Sequence, residues 1–464
     1  SSVGEENLYA LLHEPIFEPA VLKKREALLR FLDENPDTRL KLQMDFAKLG
    51  KMNYNGLSSF IFEPETKALA NAWVYKILAF IPALCVGLMF FYLSAGIVLF
   101  VLAAMINGFV YYRGKSLMEK ELNAMRYIAK VLYCAKNVLS VKSGGFDAFT
   151  RDVARHYVKF KATGGKISGI SSAIGQKASE LDFILDYVKL LFMWDLLVYN
   201  SVIGKIKRYA ADFRALYQTL GGLDAAISIL SYRKSLADGY VIPNFTAEKE
   251  IVLSGVYHPL VSAPVKNSAA VEKNILLTGS NASGKSTFTK AVAINILFAQ
   301  TIYTCTADAV SFAPSFPVTS MAVRDDVAAG ESYFIAEIKS LKRLMDLLNE
   351  DIRCVFMIDE ILKGTNTVER VAASAAIIRF LSEKNCVCIV ATHDIELTKL
   401  LADVCDNFHF SEHVTADGVV FDYTLKKGAS KTRNAIRLLS FMGFDAGIVQ
   451  EAERLATIQL RGVY

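Results

Sequence analysis

Two glycines and a lysine stand in a short segment whose spacing suits the binding of phosphate groups. The segment reads Gly279-Ser280-Asn281-Ala282-Ser283-Gly284-Lys285-Ser286-Thr287. Because glycine has no side chain, backbone N–H groups can turn toward phosphate oxygens at a helix N-terminus, where the helix dipole also favours an anion. Lys285 would contact the β- and γ-phosphates, and the Ser286 hydroxyl would bind Mg²⁺. The segment therefore predicts a phosphate-binding loop that uses ATP and Mg²⁺.

Acidic and imidazole side chains follow two further apolar segments. Asp359 and Glu360 come directly after residues 354–358, and His393 comes shortly after residues 387–391. A phosphate-loop ATPase needs one carboxylate for Mg²⁺ and one that polarises the attacking water. We assign Asp359 to the metal and Glu360 to the base, and we expect His393 to sense or stabilise the γ-phosphate.

Alternating strands and helices must position these groups. Residues 275–277 form a short apolar run directly before the loop, and an alanine-rich helical pattern follows the loop as far as Gln300. The two later apolar runs also end in polar residues. Because the carboxyl ends of parallel strands meet at one edge of a sheet, this order predicts an α/β domain with a parallel sheet.

Length and composition set broad limits on the chain. Its 464 residues exceed one ordinary core, so two or three domains are expected, and a net charge of +5 is too small to argue for nucleic acid by itself. The seven cysteines lie mostly within apolar patterns and lack the spacing of a metal site. We interpret them as reduced core residues, including Cys386 and Cys388 on one strand face, which do not suit zinc.

Helical periodicity dominates the chain outside the α/β domain. Residues 1 to about 60 carry leucines at helical spacing, with Pro15 and Pro36 as breaks, and residues 175–240 return to the same pattern. These segments predict an all-α scaffold without catalytic residues.

Residues 77–112 contain no charged side chain over 36 positions. One membrane span needs about 20 apolar residues, so the run predicts a hairpin of two short spans with a turn near residues 92–96. Lys76 before the run, with Arg113 and Lys115 after it, places both ends on the cytoplasmic side. A re-entrant or monotopic hairpin and a pair of buried core helices are the alternatives. The prediction is a membrane protein with its ATPase domain in the cytoplasm.

Residues 113–166 form a basic segment directly after the apolar run. Twelve lysines and arginines stand there against four acidic residues, an excess of eight. This charge suits anionic lipid headgroups, a surface that contacts DNA phosphates, or a solvated helix face. Its position next to the apolar run favours lipid.

The motifs of the α/β part resemble those of the MutS family of DNA mismatch repair proteins, whose nucleotide domain is of the ABC type. The resemblance is carried by Tyr257-His258-Pro259-Leu260, the loop GSNASGKSTF, Gln300, Asp325-Asp326 through Glu337, Asp359-Glu360 with Gly364-Thr365-Asn366-Thr367, and Ala391-Thr392-His393. Lys363 stands where the family usually has Arg. Residues 2–35, 220–224 and 240–245 are similar to the helical core and lever, and residues 423–436 to the C-terminal helix-turn-helix.

The resemblance implies functions for several of these residues. Tyr257 and His258 would contribute to nucleotide binding, and Gln300 would lie near the metal and the attacking water. Gly330 and Ser332, in the signature loop, would cover the γ-phosphate held by a second subunit, so that hydrolysis requires a homodimer. A serine hydroxyl and nearby backbone N–H groups are suitable donors for that phosphate.

Two departures from the family limit what the resemblance implies. We expect no mismatch-reading domain, because the similarity begins inside the helical core; the motif Phe410-Ser411-Glu412, a Phe-x-Glu sequence in the ATPase half, is interpreted as coincidence. The apolar hairpin also interrupts the lever. We therefore do not expect mismatch recognition.

The predicted organisation has five parts. They are residues 1–75, the first part of the helical core and lever; 76–113, a transmembrane hairpin; 114–245, the rest of the core and lever with a reduced clamp; 246–425, the MutS-like ATPase domain; and 426–464, a dimerisation segment. The predicted function is that of a membrane-tethered ATPase in which ATP-dependent dimer closure is coupled to DNA binding. The alternative is a mechanochemical or signalling ATPase that does not bind DNA.

Overall fold

The computed structural model describes residues 1–52, 72–117, 119–141, 146–161, 187–321, 333–348, 351–415, 418–430, 436, 439 and 442–462. The chain divides into two compact units. The first unit contains residues 1–10 and 28–230, and the second contains residues 11–27 and 231–464. The second unit therefore includes residues 11–27, which the predicted organisation places in the helical core and lever.

Helices occupy most of the chain up to residue 235. They are α1 (Ser2–His13), α2 (Pro19–Glu34), α3 (Pro36–Leu49), α4 (Ala72–Met89), α5 (Leu93–Leu117), α6 (Glu119–Leu139), α7 (Asp147–Tyr157) with the short 3₁₀ helix Val158–Phe160, α8 (Trp194–Arg208) and α9 (Ala210–Ser235). Pro36 is the first residue of α3, where a missing N–H costs nothing, and Pro15 lies between α1 and α2. The predicted proline breaks are confirmed.

The uncharged run forms a helical hairpin. Helices α4 and α5 pack against each other and are joined by residues 90–92, slightly earlier than the predicted turn at 92–96. Within the part of the chain that the structure describes, Leu93–Ser116 is long and apolar enough to cross a membrane, and Trp73–Met89 is apolar but shorter. Phe90 and Phe91 at the turn are 85% and 82% exposed. The buried core pair considered above is therefore not what these helices form.

Buried polar groups at the base of this hairpin bind Leu78 within the hairpin, Leu191, and Asp195 in the first turn of α8, all within the first unit. The Asn107 amide nitrogen donates to the backbone carbonyls of Leu78, 2.9 Å away, and Leu191, 2.8 Å away. One turn later the Tyr111 hydroxyl donates to the Asp195 carboxylate at 2.7 Å. Because buried polar groups are costly without partners, these bonds fix where the hairpin leaves the helical body.

The basic segment continues into helices of the first unit. The Asn137 amide of α6 donates to Asp45 of α3 at 2.9 Å. At the end of α7, His156 and Lys159 both contact the Asp212 carboxylate, at 3.0 and 2.5 Å, and their hydrogen bonds lower its pKa. Residues 118, 142–145 and 162–166 of the segment lie outside the described residues.

Strands and helices alternate in the second unit. The strands are β1 (Asn244–Phe245), β2 (Ile251–Val256), β3 (Asn267–Val271), β4 (Asn274–Thr278), β5 (Ala309–Phe312), β6 (Phe316–Ser320), β7 (Cys354–Asp359), β8 (Cys386–Ala391), β9 (Cys405–His409), β10 (Glu412–Thr415), β11 (Gly418–Phe421) and β12 (Lys426–Lys427). The helices are α10 (Lys285–Thr301), α11 (Tyr333–Asp346), α12 (Thr367–Ser382), α13 (Glu396–Leu400) and α14 (Ala446–Gly462).

A six-stranded sheet lies at the centre of this unit. Its strand order is β12-β9-β4-β8-β7-β6, and every pair is parallel except β12 with β9. The three strands predicted from the apolar runs are thus neighbours, with β8 between β4 and β7. A smaller sheet has the order β1-β5-β2-β3, and β10 pairs with β11 as an antiparallel hairpin. The predicted α/β fold with a parallel sheet is confirmed.

Alternating residues of β7 bury both faces of the large sheet. Val355 and Met357 pack in one cluster with α10, whereas Phe356 and Ile358 pack in a second cluster with residues of α11 and α12. A parallel strand covered by helices on both sides needs such a continuous apolar run. Six of the seven cysteines are buried and Cys386 is half-buried, which confirms their interpretation as core residues.

We expect the buried Arg233 to be a major determinant of the stability of the second unit. Its guanidinium donates to Glu26 at 2.7 Å, to the Tyr303 carbonyl at 2.8 Å and to the Thr304 hydroxyl at 2.8 Å. Arg233→Met removes these bonds and leaves Glu26 without this partner. We expect a loss of about 3 kcal/mol in unfolding free energy, measured by urea denaturation. The matched variant Arg454→Met removes an exposed pair with Glu451 and should leave the transition almost unchanged. Equal effects of the two variants would contradict the prediction.

Candidate functional site

The phosphate-loop segment turns sharply between β4 and α10. Gly279 and Gly284 have φ angles of 143° and 111°, a backbone region that side chains disfavour. A Cβ atom on Gly279 would lie only 2.8 Å from the carbonyl oxygen of Phe410. Gly284 immediately precedes the 17-residue helix α10. The loop therefore presents its backbone at the positive end of a helix, the arrangement that binds phosphate groups.

Lys285 lies within the loop rather than in solvent. Its side-chain nitrogen donates to the carbonyls of Gly279 and Ser280, both at 2.8 Å, and the residue is 6% exposed. Burial lowers the pKa of Lys285, and the neighbouring carboxylates oppose that shift. An ammonium group held in this way is available to phosphate oxygens that enter the loop.

A hydroxyl and a carboxylate meet where Mg²⁺ was predicted. The Ser286 hydroxyl, in the first turn of α10, donates to the Asp359 carboxylate at the end of β7 at 2.7 Å. Both are oxygen ligands of the kind that Mg²⁺ prefers. The predicted pair is brought together although 73 positions separate its members in the chain.

Glu360 and His393 also meet, at the ends of β7 and β8. The Nε2 atom of His393 lies 3.2 Å from one oxygen of Glu360, and the Lys363 ammonium lies 3.1 Å from the other. The hydrogen bond from His393, followed by Lys363, outweighs burial and lowers the pKa of Glu360 to about 2. Lys285 lies 3.5 Å from the same imidazole nitrogen. Glu360 is therefore ionised and oriented next to the phosphate loop.

Arg370 and Glu337 hold the segments that carry His393 and follow Glu360 in place. Arg370 on α12 binds both oxygens of Asp394, at 2.8 and 2.6 Å, and so fixes the turn that carries His393. Glu337 on α11 is 5% exposed, and it accepts hydrogen bonds from the backbone N–H groups of Lys363 and Gly364, both at 3.2 Å. Glu337 was predicted only as part of the signature loop.

A cavity of about 290 Å³ adjoins the phosphate loop. Its lining includes Tyr257, His258, Pro264, Val265, Thr287 and Tyr423. The Asn267 amide donates to the Tyr423 carbonyl at 3.0 Å and accepts from Leu425 at 2.7 Å, which stabilises the positive φ angle of 52° at Tyr423. The cavity, walled by aromatic and apolar groups next to phosphate-binding backbone, fits a planar base.

Tyr257 and His258, the residues predicted to contribute to nucleotide binding, both line this cavity. The Nδ1 atom of His258 accepts from the Leu260 N–H at 3.2 Å, and burial lowers its pKa. Tyr423 also lines the cavity, although the sequence indicated no nucleotide-binding role for it.

The prediction that Gln300 lies near the metal is wrong. Gln300 is near the last residue of α10, about 22 Å along the helix from Lys285 at 1.5 Å per residue. Its side-chain oxygen accepts from the Ser315 N–H at 2.8 Å, and its amide nitrogen donates to the Ser315 carbonyl at 2.6 Å. The residue is fully buried and holds two chain segments together. Gly330 and Ser332 lie outside the described residues.

Phe410 and Glu412, set aside above as a coincidental motif, border the phosphate loop. Phe410 is 1% exposed and lines the cavity, and its carbonyl covers Gly279. The Ser280 hydroxyl donates to the Glu412 carboxylate at 2.8 Å. No sequence signal indicated this contact, because 132 positions separate the two residues.

Comparisons with known proteins agree with this geometry. Residues 275–460 match the family model of MutS domain V, an ATPase-type domain. The chain is 32% identical over 217 residues to the DNA mismatch repair protein MutS of Natronomonas pharaonis, which covers 44% of this chain and 25% of that protein. It is 27% identical over 273 residues to the DNA mismatch repair protein MutS of Pseudothermotoga lettingae, 56% of this chain and 33% of that protein. The chain thus spans about a quarter to a third of the length of these relatives.

The cavity yields a prediction about base recognition. Tyr423→Ala removes an aromatic wall, so we expect the dissociation constant for ATP to rise about fivefold, since aromatic stacking contributes about 1 kcal/mol. Binding of inorganic triphosphate, which has no base, should not change. Calorimetric titration of both ligands tests this, and an equal loss for the two would contradict a base-binding role.

Proposed function

We propose that this chain is a membrane-tethered, MutS-like ATP hydrolase in which ATP-dependent dimer closure is coupled to DNA binding. The observation that carries the catalytic part is the meeting of Ser286, Asp359, Glu360 and His393 beside Lys285. The match of residues 275–460 to MutS domain V supports the same reaction. Membrane tethering, closure and DNA binding rest on further observations.

Each residue of the proposed site has a distinct role in hydrolysis. Backbone N–H groups of residues 279–287 and the Lys285 ammonium bind the phosphates. Ser286 and Asp359 would hold Mg²⁺, which when bound neutralises charge on the phosphate oxygens. Glu360 orients the attacking water and accepts its proton, and His393 fixes the Glu360 carboxylate by their 3.2 Å contact. The cavity next to Tyr423 takes the adenine base.

Dimer closure is proposed from the family resemblance and from the chemistry of the signature loop. Gly330 and Ser332 of one subunit would bind the γ-phosphate held by the other, since backbone N–H and hydroxyl groups are suitable donors. Residues 426–464 would contribute to the dimer contact. Ile448 and Leu455 of α14 are 53% and 52% exposed, which supports a partner for this helix.

DNA binding is supported by the curated relatives and by the basic segment 113–166. Both relatives are named DNA mismatch repair proteins, although the chain spans only part of each. Among the described residues of the segment, Arg151, Arg155 and Lys161 are exposed. Such cations can neutralise DNA phosphates. They can also bind anionic lipid, which would suit the alternative, a mechanochemical or signalling ATPase that does not bind DNA.

Membrane tethering is supported by the exposed surface of the hairpin. Phe80, Phe90, Phe91, Met105 and Phe109 are each more than 60% exposed. Exposed apolar surface of this extent marks an interaction site rather than a solvated face. Lys76 and Arg113 flank the hairpin, and Trp73 and Tyr112 near its base are the residue types found at membrane interfaces. The hairpin would therefore lie in lipid, with residues 113–166 against anionic headgroups.

ATP hydrolysis by the full chain in nanodiscs tests the catalytic proposal. We expect hydrolysis that Glu360→Gln reduces at least a hundredfold while ATP binding persists, because general bases contribute about 10²- to 10⁴-fold.

The coupling to DNA is tested in the same assay. Duplex, branched and single-stranded DNA are then added at low salt. Stimulation by one form, absent in Glu360→Gln, supports coupling to DNA. Hydrolysis that is indifferent to every form would favour the alternative function.

Flotation with vesicles tests whether the hairpin binds the membrane. The vesicles contain neutral lipid only, so that the basic segment 113–166 does not contribute to binding. A double variant, Phe90→Asp with Phe91→Asp at the turn of the hairpin, should lose most vesicle binding, because a carboxylate placed in the hydrocarbon of the membrane costs about 3 kcal/mol. Met44→Asp with Tyr133→Asp, at exposed apolar positions on α3 and α6, is the matched control and should float like the wild type. Flotation of both double variants would refute the hairpin as the tether.

A further inference from the structure

A buried carboxylate lies beside the phosphate loop, where an anion is to bind. Glu412 is 4% exposed, and one of its oxygens accepts from the Ser280 hydroxyl at 2.8 Å. The Ser280 carbonyl in turn accepts from the Lys285 ammonium at 2.8 Å. A single loop residue thus joins Glu412 to the lysine that contacts the phosphates.

The segment that carries Glu412 borders both parts of the proposed nucleotide site. Two residues earlier, Phe410 lines the base cavity and covers Gly279 with its carbonyl. Glu412 begins the β10–β11 hairpin, opposite Phe421, and Tyr423 follows that hairpin. The position of Glu412 is therefore fixed by strand pairing as well as by Ser280.

Glu412 differs from the other carboxylates near Lys285 in the group that it faces. Three of them, Asp359, Glu360 and Glu412, raise the pKa of Lys285 against the effect of its burial. Asp359 faces the Ser286 hydroxyl and Glu360 faces His393, so each has a role in hydrolysis. Glu412 instead faces the Ser280 hydroxyl of the loop, so its negative charge lies next to the site proposed for the phosphates.

We propose that Glu412 is an affinity-determining residue, whose carboxylate, held on Ser280 beside Lys285, opposes the phosphate charge of the nucleotide and so weakens its binding. This inference rests on the proposed nucleotide site. Like charges in a partly buried site repel each other far more than in water. Nucleotide release is correspondingly faster, which suits an enzyme that must exchange its nucleotide between cycles.

Neutralisation of Glu412 tests the proposal. Glu412→Gln keeps the side-chain volume and an oxygen that can accept from Ser280, but removes the charge. We expect ATP and ADP to bind about tenfold more tightly, with slower release measured by displacement of a fluorescent ADP. Adenosine, used as a competitor at millimolar concentration, has no phosphate, and its affinity should not change.

Two further variants separate charge from shape. Glu412→Asp retains the charge and should keep the weak binding of the wild type. Glu383→Gln removes an exposed carboxylate at the end of α12 and should also leave both affinities unchanged. Circular dichroism of each variant confirms that the fold is retained.

The possible results distinguish this inference from the proposed function. Tighter ATP and ADP binding by Glu412→Gln alone, with adenosine unchanged, supports it. Unchanged or weaker ATP binding would overturn it, and so would an equal change for adenosine, because this would indicate a distorted cavity. If the wild type binds no ATP at all, the proposed nucleotide site itself fails.

Discussion

The parallel pairing of β4, β8 and β7 is the constraint on which the candidate site depends. Leu277 pairs with Ala391, and Ala391 pairs with Asp359, so the three strands end at one level of the sheet. At this level Asp359 ends β7 and Glu360 follows it, and His393 lies two residues after the end of β8. The phosphate loop, residues 279–287, begins directly after β4. A shift of one strand by a single residue would turn its side chains to the opposite face of the sheet. The apolar packing on both faces makes such a shift costly, and in this way the core fixes the site.

Buried charge gives this edge of the sheet its electrostatic character. The carboxylates of Asp359, Glu360 and Glu412 act on the buried Lys285 ammonium, and the His393 imidazole lies 3.2 Å from Glu360 and 3.5 Å from Lys285. Charges removed from water interact strongly with whatever enters, since the effective dielectric constant is low. Under the proposed function, the site would therefore discriminate by charge as well as by shape. An incoming phosphate group would meet backbone N–H groups and Lys285 as attractive contacts, and the carboxylates would oppose it unless a cation accompanied it.

Local motifs were predictable from the sequence, whereas contacts between distant segments were not. The loop of residues 279–287, the strand before it and the pairs after β7 and β8 carry their own patterns, because each depends on neighbours in the chain. Gln300 was misplaced because a helix of 17 residues moves its last side chains far from its first turn. Glu412 gave no signal, since its approach to Ser280 depends on β9 and on the β10–β11 hairpin.

The same distinction applies to the helical unit. The run of 36 uncharged residues lies on two helices that pack against each other, as its apolar pattern indicated, and their insertion in a membrane stays a prediction. The bonds from Asn107 to Leu78 and Leu191, and from Tyr111 to Asp195, were not predictable, because Asn107 lies 84 positions from Leu191 and Tyr111 lies 84 positions from Asp195.

Those bonds also limit how far a membrane hairpin can extend. Between the turn of the hairpin and Asn107, α5 has the 14 residues 93–106. This stretch is about 21 Å long, whereas the hydrocarbon core of a bilayer is about 30 Å thick. The polar groups at the base, paired with one another, tolerate the interface but not the hydrocarbon centre. Under the proposed tether, the hairpin enters from one face of the bilayer and both of its ends return to that face. Under the same proposal, the ATPase domain predicted at residues 246–425 would lie on the side of both hairpin ends, where ATP is available.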